Sequence, residues 1–216
     1  EGVLSAFRRA CWDLFVSSLP DPVVKDAYSK KDDVPKEYRE TVPRGFCIDP
    51  RTWTTYFNIR DIPSHLKTHP EKMDYARSIF QHECTHFTQV PADLVTEAIL
   101  VDAALKGFTD PNITNNTKTA SAYAHIAINI MGDLIGDTLL AKEHYGREDF
   151  GELTTWRMRE TISSARETKQ DPSLLWQALV LGYEHLWKDD LGFKNLVPTP
   201  DQRSQQAAKD LVSILG

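Results

Sequence analysis

Residues 71–90, "EKMDYARSIFQHECTHFTQV", carry apolar side chains at helical spacing on more than one face, and few patterns constrain a fold more tightly. Met73, Ala76, Phe80, Cys84 and Phe87 make one stripe along a 3.6-residue helix. Tyr75, Ile79, His82 and His86 make a second, where an exposed face would carry Lys, Glu or Gln. A helix apolar on two sides must be covered on both, so the rest of the chain is expected to pack around it. Pro91 ends the pattern.

The same segment contains His82-Glu83-x-x-His86. Positions i and i+4 share a helix face, so both imidazoles can reach one metal ion. Glu83 points about 100° away. It is placed to act on a water beside the ion without being a ligand, the arrangement of a zinc hydrolase helix. Two histidines hydrogen-bonded to neighbours would give the same string. Glu83-x-x-His86 also fits half of a di-iron carboxylate site, but that site needs a second Glu-x-x-His, and the chain has none.

A catalytic zinc takes three protein ligands. The position six residues past His86 is Ala92, so the third lies further on. The apolar segment 123–146 carries His125, Asn129 and Asp133 at intervals of four, with Asp137 following. Buried ionisable groups need partners, and this row on one face suggests a shared metal, with Asp133 the candidate ligand; a hydrogen-bonding polar seam between packed helices would give the same pattern. Gly132 and Gly136 flank Asp133 and allow another helix to approach. Glu97 and His125 are the alternatives. His65 and His69 fall in a stretch read as a solvated loop.

Around this centre, helices are expected over 3–18, 71–90, 92–106, 119–145, 152–169, 173–188 and 201–214. Residues 29–45 and 63–70 read as loops. "GFCIDPRTWTTYFNI" (45–59) reads as two short strands around a turn at Asp49-Pro50-Arg51. The fold class is α+β and mainly helical. One domain is expected over 1–216, with a catalytic core at about 45–146 and a C-terminal helical part over 147–216.

Of the 216 residues 41 % are hydrophobic, which suits a globular chain, and the net charge of -6 without Lys/Arg clusters argues against nucleic acid as partner. The run from Ala120 to Leu140 contains Asn129, Asp133 and Asp137, which lipid would penalise, so no membrane span is expected. Three cysteines, Cys11, Cys47 and Cys84, form no C-x-x-C pair, which fits a reducing, cytoplasmic setting. Cys84 reads as a small core residue.

Three pieces together resemble the zincin metallopeptidases, and more narrowly the metal-dependent peptidases that often accompany von Willebrand factor A-type domains. "CIDPRTWTTYFNI" is similar to that family's short strand before the active-site helix, "FQHECTH" to the helix itself, and "NIMGDLIGD" to its later N-I-x-x-D helix. The likeness covers roughly residues 45–140. It implies a zincin-like fold, one Zn2+ held by His82, His86 and Asp133, Glu83 as general base, and cleavage of a peptide or protein substrate. It also implies that Thr54 to Ile59 forms a cleft-edge strand able to pair with extended substrate. Tyr145, Arg157, Tyr183 and His185 are candidates to stabilise an oxyanion. The other readings from the residues are a metal-binding protein without catalysis and a helical interaction module.

Overall fold

In the computed structural model of the chain, helix α2 (His69–Thr88) runs through the middle of one of two compact units. The structure describes residues 2–25, 46–49, 52–59, 62–88, 94–107, 111–143, 148–167, 174–187 and 192–215. The first unit comprises Glu1–Thr88 and Leu140–Lys169, the second Gln89–Leu139 and Gln170–Gly216. The fold is mainly helical with one small sheet, as expected for the α+β class.

In the first unit α1 (Gly2–Asp13) and α6 (Glu148–Glu167) both pack on α2. The sheet contains β1 (Val23–Lys25), β2 (Cys47–Asp49) and β3 (Thr54–Asn58). β2 and β3 form the expected antiparallel pair, with Asp49 opposite Thr54, and the Trp53 amide donates to the Asp49 carbonyl at 2.6 Å. Thr55 and Phe57 are buried while their neighbours in β3 are half-buried. Phe57 stacks on Phe80 of α2, with ring centroids 4.9 Å apart, and Phe80 meets Phe7 of α1 edge-on at 5.1 Å. These rings, with Ala10, Ala76 and Ile79, are the centre of the core. Each buried phenylalanine contributes about 1.5–3 kcal/mol by leaving water.

α2 begins at His69, two residues earlier than its apolar pattern implies. The cause is a capping box: the Thr68 amide donates to Glu71 Oε2 at 2.9 Å, and the Glu71 amide donates to Thr68 Oγ1 at 3.3 Å. The preceding stretch is a loop, as expected, but it is not solvated throughout. Ile62, Pro63 and Leu66 are buried, and half-buried His65 pairs with Glu160 of α6. The apolar side chains anchor the segment, and the hydrogen bond to Glu160 holds its histidine.

The sheet also departs from the sequence reading. Residues Thr54 to Ile59 were expected at a free edge, but β3 is the central strand, in the order β1-β3-β2. β1 lies parallel to it, with Val23 opposite Tyr56 and Lys25 opposite Asn58. Three residues between Pro22 and a polar stretch show no periodicity, so this strand is silent in the sequence.

In the second unit α5 (Thr117–Thr138) packs against α3 (Leu94–Gly107), the single turn α4 (Pro111–Thr114) and α7 (Leu174–Trp187). α7 in turn packs on α8 (Gln202–Leu215). α5 opens with Asn116, whose side chain accepts from the Thr119 amide at 3.1 Å, and passes into a π-helical turn over Leu139–Glu143. Gly132 and Gly136 are buried as expected. α7 comes close at Gly182, where an added Cβ would lie 3.1 Å from Leu134. The loop expected over 29–45 lies outside the described residues. No helix among the described residues is long and apolar enough to cross a membrane.

Candidate metal centre

α2 fixes the two histidines. One step of four residues leaves them side by side, with Nε2 atoms 3.3 Å apart and rings crossed at 84°. Both are half-buried, while Tyr75 and Ile79 on the same side are fully covered. Two Zn–N bonds of about 2.0–2.1 Å at a tetrahedral angle of about 109° separate the nitrogens by about 3.3–3.4 Å. The observed spacing therefore suits two corners of a tetrahedral site. It also suits an N–H···N bond with one ring donating.

The helix is held in rotation from three directions. On α1, buried Asp13 accepts from Arg77 Nε at 2.6 Å and from Gln81 Nε2 at 2.9 Å. From α6, Arg157 Nε donates to Ser78 Oγ at 3.2 Å, and Thr161 shares a hydrogen bond with the Tyr75 hydroxyl at 3.0 Å. Beside the β2–β3 turn, Trp53 meets Phe87 edge-on at 4.7 Å. Gln81 and Phe87 are the chain neighbours of the two histidines, so these contacts limit how far the imidazoles can swing. Asp13 and Gln81 escape any reading of spacing because they lie 68 positions apart.

Glu83 is 5 % exposed and Thr85 fully buried. The carboxylate sits one residue past His82, turned about 100° from it and withdrawn from bulk water. The Thr85 hydroxyl donates to the His82 carbonyl at 2.7 Å, tightening the turn that carries both histidines.

In its own unit, α5 corrects the expected seam. His125 and Asn129 are exposed, Asp133 is half-buried, and only Asp137 is fully buried. A step of four advances about 400° around a helix, so three steps carry a row through about 120°. The row therefore winds from solvent into the core. Asn129 donates to Asp133 Oδ2 at 3.5 Å, and the Asp137 carboxylate accepts from the buried Tyr183 hydroxyl at 2.7 Å. His125 thus stands on the outer side of α5, two steps from the aspartate expected as ligand.

The other candidates fall into place one by one. The side chain of Glu97 and all of Tyr145 lie outside the described residues. Arg157 and Tyr183 are buried in separate units, each hydrogen-bonded as above, and His185 is exposed. Compared with models of known protein families, with curated proteins and with solved structures, the chain matches none.

Proposed function

We propose that this chain is a zinc-dependent hydrolase, a metallopeptidase of zincin-like fold that cleaves peptide bonds. The observation that carries the reading is the 3.3 Å separation of the His82 and His86 Nε2 atoms on a helix packed from both sides. We assign His82, His86 and Asp133 as the ligands of one ion. Two imidazoles and one carboxylate are a donor set that suits zinc and leave its fourth position open. When bound, zinc polarises the scissile carbonyl and acidifies water in that position.

The chain's own residues do the rest. His82 and His86 offer neutral Nε2 lone pairs, so each keeps its proton on Nδ1. The Glu83 carboxylate takes the proton from the attacking water and later delivers it to the leaving amine nitrogen. The withdrawal of Glu83 from bulk water keeps that proton within the site.

A second reading, metal binding without peptide cleavage, draws on a different observation. The strand that the zincin likeness assigns to substrate is bonded on both sides, to β1 and to β2. Extended substrate would have to pair elsewhere.

The two readings separate on Glu83→Gln, which keeps volume and hydrogen bonding while removing the base. Zinc content and folding should stay as in wild type. Cleavage of an unstructured peptide library should fall by about two to four powers of ten at equal zinc loading. Equal cleavage by both forms removes Glu83 as base. Stoichiometric zinc with no cleavage by wild type favours the second reading, and full zinc retention in His82→Ala and His86→Ala removes the site.

A further inference from the structure

Two of the three cysteines meet in the first unit. Cys11 of α1 and Cys84 of α2, 73 positions apart, bring their Sγ atoms to 4.0 Å, and both are free thiols. Cys84 is fully buried and Cys11 half-buried. Cys84 also sits between Glu83 and Thr85, midway along the turn that separates the two histidines.

We propose that Cys11 and Cys84 form a reversible disulfide under oxidising conditions, a covalent clasp between α1 and the histidine-bearing helix. The sulfurs are in van der Waals contact, and a disulfide needs about 2.05 Å, so closure asks for a change of about 2 Å, within reach of χ1 rotation and a small helix shift. The proposal stands whether or not the histidines hold zinc.

The oxidant is a small-molecule disulfide, RS–SR, and the difference in burial orders the steps. Cys11 is the less buried of the two residues, so its thiolate attacks one sulfur of RS–SR. A Cys11–S–SR bond forms, the RS–SR bond breaks, and the first RS⁻ leaves with the electron pair. Cys84 then loses its proton to the departed thiolate, and its sulfur attacks Cys11 Sγ. The Cys11–S–SR bond breaks and the second RS⁻ departs. Two protein thiols are oxidised, one small disulfide is reduced to two thiols, and both protons leave with them. Hydrogen bonding from the Cys84 thiol lowers the Cys11 pKa, which favours Cys11 as the first to react.

The test uses the full chain, reduced and then incubated with oxidised glutathione, acid-quenched, alkylated and mapped by peptide mass. The expected product is a Cys11 peptide linked to a Cys84 peptide, with Cys47 still alkylated and the link reversed by dithiothreitol. Cys47→Ser should form the same link to the same extent. Cys11→Ser should form none and should leave Cys84 unmodified. Stable glutathione on Cys11 beside a free Cys84, three free thiols, or a link through Cys47 would each overturn the proposal.

Discussion

Helices α2 and α5 both set polar side chains among apolar ones in steps of four, and the structure treats the two patterns differently. On α2 the pattern is one step, His82 to His86, and one step displaces a side chain by only about 40° around the axis. Both imidazoles stay on one side, half-buried, with their nitrogens 3.3 Å apart. On α5 the pattern is three steps, and the accumulated rotation carries His125 into solvent while Asp137 ends in the core. A pair at i, i+4 defines a face, whereas a longer run at the same spacing defines a spiral.

The two helices differ equally in how they are covered. α2 has α1 on one side and α6 on another, with Phe80 fully buried and none of its large apolar side chains exposed. α5 shows Tyr123 and Ile126 to solvent. Phe80→Ala removes a ring stacked on Phe57 and set edge-on to Phe7, and should cost about 3–5 kcal/mol in urea unfolding of the full chain. Ile126→Ala on α5 should stay within about 0.5 kcal/mol. Similar losses for both would mean that the coverage of the two helices does not differ as described.

A smaller effect sharpens the rotation of α5. Tyr183→Phe removes the hydroxyl that donates to the buried Asp137 carboxylate and should cost about 1–3 kcal/mol, measured by chemical denaturation. It should leave zinc content unchanged, whereas Asp133→Ala should strip most of the zinc and His125→Ala should not. Zinc loss on Tyr183→Phe with retention in Asp133→Ala would put Asp137 in the ligand role and turn the helix by one step.

The helices were legible because apolar periodicity survives in a single sequence: the spans of α3, α7 and α8 agree with their patterns to within two residues. The histidine pair was legible because a helix fixes relative placement over four residues. What escaped depends on contacts between distant positions. β1 is three residues that become a strand only through β3, and its presence moves β3 from the edge to the centre. Asp13 reaches Arg77 and Gln81 across more than sixty positions. From its loop His65 reaches Glu160, 95 positions away. The start of α2 was legible in principle: Thr68-x-x-Glu71 is a capping box, and reading hydrophobic spacing alone passed over it.

That cap gives the smallest contrast between the two helices, and one that pH can resolve. Glu71 Oε2 accepts from the Thr68 amide, the Thr68 hydroxyl at 2.7 Å and the Lys67 amide at 3.2 Å. These bonds, led by the Thr68 amide, favour the carboxylate and hold the Glu71 pKa below the ordinary glutamate value. A carboxyl whose pKa is lower folded than unfolded adds stability that is fully present above the unfolded value, and that stability is lost as pH falls through the folded value. α5 is capped instead by Asn116, which does not titrate in this range. Glu71→Gln should therefore be less stable than wild type at neutral pH, and the gap should close as the solution is acidified below the usual carboxylate range. Asn116→Ala should cost about 1 kcal/mol, with a gap that does not change across the same range. Urea titrations of the three proteins at a series of pH values read both gaps. A Glu71→Gln deficit that persists unchanged in acid would mean that the charge of Glu71 contributes nothing to the cap, and that the neutral hydrogen bonds alone start the helix.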